Sequence, residues 1–220
     1  MPYPIDKRLV VGISSSALFD LEKEDRIFKS EGLEEYRRLQ IKLRDVPLKK
    51  GLAFPFIKRF LNINNVYSEK LPVEVVLLSK NSPETGVRIF NSIKEYGLDI
   101  SRAVFTSGKS PHAYIPSFNI SLFLSTNKVD VDKALELNYP SGHILKSDIK
   151  DDDNDTELRV AFDFDGVIID DESEKVYKAT NQLDAFHNHE VENIVKPHNP
   201  GVLAEFFKKL AFFQKLEAKN

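Results

Sequence analysis

The apolar segment Val73–Leu78 constrains this chain more than any other part of it. A Val- and Leu-rich run of that length suits a central parallel strand covered on both faces. Leu9–Ile13, followed by Ser14-Ser15-Ser16, reads as a second buried strand ending in a polar loop. Ala103–Phe105 and Leu122–Leu124 read as shorter strands. Helical patterns lie between them. Leu21–Arg44 is charged, with Leu33, Tyr36 and Leu39 at helical spacing, and Leu52–Leu61 places Phe54, Ile57 and Leu61 on one face. A turn over Ser79–Gly86 leads into a helix near Val87–Tyr96, Ser107–Pro111 is a loop, and 128–138 carries Val129, Ala134 and Leu137 on an apolar side. Strands alternating with helices predict an α/β domain with a mainly parallel sheet.

A linker interrupts this order at Asp148–Glu157, where Asp151-Asp152-Asp153-Asn154-Asp155 has nothing to bury and reads as a solvated connector. The run lacks the Gly and distant Glu of an EF-hand loop. The order then restarts: a strand at Leu158–Phe162, an Asp-rich loop, a helical stretch over Glu172–Glu192, breaks at Pro197, Pro200 and Gly201, and a helix over Val202–Leu216. That last helix lines up Leu203, Phe206, Phe207, Leu210 and Phe213 on one face. The expected organisation is a unit over 1–147, a linker over 148–157 and a second unit over 158–220.

The restart reads as an internal repeat. With a shift of 150 positions Val10 falls on Val160, Asp20 on Asp170, Glu22 on Glu172, Glu24 on Glu174, Pro47 on Pro197, Gly51 on Gly201, Phe56 on Phe206 and Lys58 on Lys208. The competing account is chance sharing of strand–loop–helix punctuation by two α/β units. The first copy continues to about Leu145 and the second stops at Asn220, so the second is expected to be incomplete.

Composition excludes several classes. The net charge is −3 with no basic block, which removes the electrostatic footprint of a nucleic-acid binder. There is no cysteine, hence no disulfide and no thiolate metal site. The start, Met1-Pro2-Tyr3-Pro4, is not a signal peptide, and no apolar stretch approaches the roughly 20 residues of a membrane span. A cytoplasmic protein is expected, and a homo-oligomer is compatible with the sequence. His187-Asn188-His189 sits two apart on a helix without a third ligand and reads as a solvated face rather than a metal site. Tyr3, Tyr114 and Phe118 could stack on a base, although isolated aromatics near prolines are more often packing.

The chemistry concentrates in Arg159-Val-Ala-Phe-Asp163-Phe-Asp165-Gly166-Val-Ile-Ile-Asp170. A strand delivers two carboxylates, one residue apart, into a loop that turns at Gly166. A carboxylate is already ionised at neutral pH and can attack phosphorus directly, whereas a hydroxyl needs a base. A second carboxyl can protonate the leaving alkoxide and then deprotonate water. The negative charges so assembled need a divalent cation, and Mg²⁺ typically takes one or two carboxylates plus phosphate oxygens and water.

This motif is similar to the first motif of the haloacid-dehalogenase-type (HAD) phosphatases, Asp-x-Asp-Gly-[Thr/Val] after an apolar strand. The extension Asp163–Glu174 resembles more narrowly the cytosolic type I 5′-nucleotidases. So do Val11–Asp20, Val75–Pro83, Phe90–Ile93 and Phe105–Pro111, and the resemblance covers essentially the whole chain. It implies two HAD-like, Rossmannoid units and Mg²⁺-dependent hydrolysis of nucleoside 5′-monophosphates, AMP-type substrates included. Carried over residue by residue, Asp163 is the nucleophile and a metal ligand through its carboxylate. Asp165 is the acid/base and a metal ligand through its backbone carbonyl, and Gly166 lies against the phosphate.

The family's later elements, a phosphate-binding Thr or Ser, a Lys and an acidic pair, have lookalikes only in the first copy, as Ser79 and Lys109. That copy has Ile13 and Ser15 where the second has Asp163 and Asp165, and it reads as degenerate. The expectation is that the chain alone is weakly active or inactive and that one extended by roughly 80–100 residues, from usual domain sizes, is active. Two alternatives stay open: another HAD-type phosphatase acting on sugar phosphates, and a nucleotide-binding fragment without turnover.

Overall fold

The computed structural model describes residues 7–148 and 150–217, which divide into two units, Met1–Leu158 and Arg159–Asn220. Tyr3 lies outside the described residues. Unit 1 runs β1 (Leu9–Ser14), α1 (Ser15–Leu18), β2 (Phe19–Asp20), α2 (Glu22–Glu31), α3 (Leu33–Lys42), β3 (Lys49–Lys50), α4 (Phe54–Val66), β4 (Val73–Ser79), α5 (Pro83–Glu95), β5 (Arg102–Phe105), α6 (Tyr114–Ser117), β6 (Leu122–Ser125), α7 (Lys128–Glu136) and β7 (Ser141–His143). Unit 2 contributes α8 (Glu172–Thr180), α9 (Leu183–Glu192) and α10 (Ala204–Glu217).

The apolar runs of unit 1 form one five-stranded parallel sheet in the order β5-β4-β1-β6-β7. β4, the run Val73–Leu78 extended to Ser79, sits between β1 and β5, with Leu9 opposite Val73 and Ser14 opposite Leu78. Val75, Val76 and Leu77 have no exposed surface, which is why the sequence carries no polar–apolar alternation there. The strand order reverses beside β1, so the carboxyl ends of β1 and β6 flank the crevice where open α/β sheets bind ligands.

Several expectations change in detail. The stretch Leu21–Arg44 is two helices, broken at Gly32, whose φ of +85° a non-glycine residue would resist. The stretch Glu172–Glu192 breaks likewise after Asn181, which is left-handed. On α7 Ala134 is buried as expected, but Val129 and Leu137 are exposed while Asp130 and Val131 face inward. Asp130 pairs with Lys80, and that ion pair rotates the helix away from the face its apolar residues mark. Phe118 packs against the core cluster beneath β1, and the Arg102 guanidinium lies 4.9 Å from its ring centre. The acidic run is exposed yet tethered: Arg59 donates to Asp151 at 2.7 Å, Lys50 to Asp153 at 2.6 Å, and Lys58 to the Asp153 carbonyl at 2.9 Å.

Unit 2 departs more. Leu158–Phe162 does not form a strand, and among the described residues unit 2 has no parallel sheet; its one bridge, Ile169 with Pro200, is antiparallel. The physical reason is the missing ladder. A strand exists only by hydrogen-bonding to a neighbour, and unit 2 has no described counterpart of β4 or β6 to flank this segment. Its buried apolar residues among those described are Ala204 and Phe206, with Phe207 and Phe212 of α10 exposed.

The local backbone of the two units nevertheless runs in step. The Gly51 N–H donates to Leu18 O at 2.9 Å, and the Gly201 N–H to Ile168 O at 2.9 Å. Ala53 N–H donates to Ala17 O and Leu203 N–H to Val167 O, again at 2.9 Å. Phe19 pairs with Lys50, Ile169 with Pro200, and α3 has its counterpart in α9. Every partner in one set lies 150 positions from its partner in the other.

The two glycines are required at these crossings for close approach. A Cβ on Gly51 would sit 2.6 Å from Ala17 O and 2.7 Å from Phe19 N, and one on Gly201 would overlap Ile169 O and Val167 O. Gly51→Ala and Gly201→Ala are each expected to destabilise their unit by at least about 1–3 kcal/mol, the usual cost of overpacking. Urea melts followed by far-UV circular dichroism check this; a midpoint unchanged in either variant would show that the crossing can open freely.

Candidate active site

The loop carrying Asp163 and Asp165 is shaped by its own backbone. Phe164 O accepts from the N–H groups of Val167 at 3.4 Å, Ile168 at 3.0 Å and Ile169 at 3.1 Å. Gly166 turns the chain with φ +71°, and its N–H donates to Asp170 O at 3.3 Å. The return limb, Val167–Asp170, is held against 199–203: Asp170 N–H donates to Asn199 O, Gly201 N–H to Ile168 O and Leu203 N–H to Val167 O, all at 2.9 Å. On the approach to the loop, Phe162 packs edge-on against Phe206 and Phe207 of α10, at 5.9 and 5.8 Å between ring centres. The apolar anchor and the backbone clamp together leave Asp163, Asp165 and Gly166 exposed.

Asp163 Oδ1 accepts from the Phe164 N–H at 2.8 Å, which orients that carboxylate and leaves its second oxygen for other partners. At the start of α8, Lys175 donates to Asp171 at 2.7 Å, and this bond holds the Asp171 carboxyl below its ordinary range. Among the described residues no group of three or more His, Asp or Glu could hold a metal ion. An all-protein cage is therefore not built here. What the loop offers is one or two carboxylates, a number that Mg²⁺ can accept when phosphate oxygens and water complete its shell.

A sequence model of the 5′-nucleotidase family matches residues 1–220. The chain belongs to the 5′-nucleotidase family. It is 34% identical over 218 residues to human (Homo sapiens) cytosolic 5′-nucleotidase 1B, an alignment that covers 96% of this chain and 36% of that protein. This 5′-nucleotidase-family chain thus spans about a third of the length of the curated relative it matches. No solved structure matches it.

The other predicted site residues belong to unit 1. Ser79 ends β4 and is 1% exposed; its Oγ lies 3.1 Å from Ser15 Oγ and accepts from the Asn81 N–H. Its hydroxyl is thus engaged inside the fold. Lys109 is exposed in a loop closed by the bond from its N–H to Thr106 O. Around them the carboxyl ends of three strands carry linked hydroxyls: Ser16 Oγ lies 2.9 Å from Thr126 Oγ1 and 3.3 Å from Ser14 Oγ. Nearby His112 is buried, and burial pushes its imidazole below the ordinary histidine range. Of the histidines on α9, His187 is exposed and His189 bonds Asn193 through its carbonyl.

Asp170 and Asn199 are functional candidates that the sequence reading passed over. Asn199 Nδ2 donates to Asp170 Oδ2 at 2.8 Å, joining positions 29 residues apart. The signal available was the 150-position offset expected from the sequence, since Asp20 and Lys49, the residues 150 positions earlier, face each other in the β2–β3 ladder.

Proposed function

We propose that this chain carries the nucleophile loop of a Mg²⁺-dependent 5′-nucleotidase that hydrolyses nucleoside 5′-monophosphates, AMP among them, through an aspartyl-phosphate on Asp163. The observation that carries the reading is the presentation of two exposed carboxylates, Asp163 and Asp165, by one backbone-clamped loop in a chain that the family matches from end to end. A cytoplasmic setting accords with the human relative's being a cytosolic 5′-nucleotidase.

In this reading the free oxygen of Asp163 attacks phosphorus and the bond from phosphorus to the 5′-oxygen breaks. The departing alkoxide takes a proton from Asp165, and the nucleoside leaves. Asp165, now ionised, removes a proton from water, which attacks phosphorus; inorganic phosphate departs and the Asp163 carboxylate is restored. The Asp163 carboxylate and the Asp165 carbonyl would hold Mg²⁺, which neutralises phosphate charge when bound. Gly166, without a side chain at the turn, lets a phosphate approach the backbone.

Unit 2 is, in our reading, a second copy of the β1–α4 part of unit 1, both HAD-like, with unit 1 degenerate. The matched hydrogen bonds and glycine crossings support this, and Ile13 and Ser15 stand where Asp163 and Asp165 do the chemistry. Ser79 and Lys109 then act in unit 1 as a phosphate contact or as structural remnants, and the buried, engaged hydroxyl of Ser79 favours the structural role.

Phosphate release from AMP, with and without Mg²⁺ and against sugar phosphates, tests the reading. Mg²⁺-dependent release preferring nucleotides supports it; equal or better hydrolysis of sugar phosphates would move the chain to another phosphatase specificity. Asp165→Asn is expected to slow turnover by about 10²–10⁴-fold, the usual contribution of a general acid–base group, while sparing much of the Mg²⁺ affinity. Steady-state rates alongside Mg²⁺ titration check this; unaltered turnover with lost metal affinity would exchange the two roles.

A further inference from the structure

We propose that Asp170 is a positioning residue for the Asp163–Asp165 loop, acting through Gly166 and latched by Asn199. The inference rests on the nucleotidase reading for its catalytic consequence and on geometry alone for the latch.

Asp170 is bonded on three sides. Its carbonyl accepts the Gly166 N–H at 3.3 Å, its N–H donates to Asn199 O at 2.9 Å, and its Oδ2 accepts from Asn199 Nδ2 at 2.8 Å. The first bond closes the turn that presents Asp165; the other two fix the far end of that turn to the segment before Pro200. The geometry is a two-point clamp in which one residue pairs by backbone and side chain with the same partner. The corresponding pair in unit 1 is joined by the ladder Asp20–Lys49, and there the Asp20 carboxylate accepts from the Glu22 N–H instead. The side-chain latch thus belongs to the unit with the catalytic carboxylates and is lacking in the one without them.

The second carboxylate oxygen of Asp170 is buried and has no hydrogen-bond partner. Such a group is costly to keep, and its persistence calls for a role. His198 has Nδ1 3.8 Å from Asp170 Oδ1 and Nε2 3.9 Å from Glu190 Oε2, too far in each case for a hydrogen bond. The Asn199 bond therefore carries the side-chain anchoring. An asparagine at 170 would retain an acceptor for Asn199, which makes it the conservative replacement.

The test uses the whole chain as Asp170→Ala, Asp170→Asn and Asn199→Ala, read by amide hydrogen exchange at Gly166 and by kcat and KM on AMP with Mg²⁺. Loss of a hydrogen bond to a charged group corresponds to about tenfold or more. Asp170→Ala and Asn199→Ala are expected to speed Gly166 exchange by that factor and to lower kcat similarly at unchanged KM, with Asp170→Asn restoring both. Unchanged Gly166 exchange in a folded Asp170→Ala or Asn199→Ala protein overturns the latch, as does an Asp170→Asn protein that behaves like the alanine. Should the parent chain release no phosphate, the kinetic readout falls silent on the latch and the exchange readout alone decides it.

Discussion

Asp163→Asn is expected to abolish phosphatase activity while leaving the chain folded. The amide is nearly the size of the carboxylate and its oxygen can still accept the Phe164 N–H, so the local bond at 2.8 Å is retained. What disappears is the anionic nucleophile. Removal of a nucleophile that acts as one unit with its acid–base partner costs on the order of 10⁴- to 10⁶-fold in kcat. Asp163 lies in an exposed loop, so the expected change in stability is small. Single-turnover phosphate release, together with a urea melt of the same preparation, separates the two effects. Near-normal turnover from a folded Asp163→Asn protein would remove Asp163 from the mechanism.

The second large effect concerns unit 1. Arg88 of α5 donates to Glu24 of α2 at 2.8 Å, and the two side chains are only 6% and 7% exposed. Arg88 Nε also donates to the Val46 carbonyl at 2.9 Å, so one guanidinium holds α2 and the loop after α3 to α5, the helix that follows β4. Glu24→Ala would leave that charge buried without its carboxylate. Breaking a buried pair from one side costs about 3–5 kcal/mol, a large part of the roughly 5–15 kcal/mol that stabilises a typical domain. Equilibrium urea unfolding of unit 1 is expected to show that loss for Glu24→Ala and a smaller one for Glu24→Gln, which keeps an acceptor. A change below about 1 kcal/mol, the level of an exposed pair, would mean that water reaches Arg88.

The parallel sheet was legible because its signal is local. Runs such as Leu9–Ile13 and Val73–Leu78 are apolar on both faces but for Glu74, which pairs with Arg8 and Arg102, and they occupy β1 and β4 with nearly the expected ends. The orientation of α7 was not legible, because Asp130 is drawn inward by Lys80, a residue 50 positions away that no periodicity can register. The strand expected at Leu158–Phe162 failed for a related reason: apolarity marks a segment able to join a sheet, and the neighbour that would make it a strand is not among the described residues. At the site, the Asp163-x-Asp165-Gly166 pattern was readable because carboxylate spacing and a turn glycine are properties of contiguous residues. Asp170 and Asn199 were missed because their pairing spans two helices, and neither residue type stands out in an Asp- and Asn-rich stretch.

The repeat proposed above would join these observations. Few identities recur at an offset of 150 positions, whereas the backbone hydrogen bonds and glycine crossings do, because backbone geometry constrains glycine and chain direction more tightly than it constrains side chains. In that proposal, Asp163 and Asp165 in place of Ile13 and Ser15 mark where chemistry would enter one of two similar frames.

The most direct measurement is chemical trapping of the phosphorylated carboxylate. The chain is incubated with AMP and Mg²⁺, quenched, reduced with borohydride and mapped by peptide mass spectrometry. An acyl phosphate on the nucleophile is reduced to homoserine, and the account predicts homoserine at position 163, absent without AMP and absent in Asp163→Asn. Homoserine at another aspartate, or phosphate release with position 163 never modified, would contradict it.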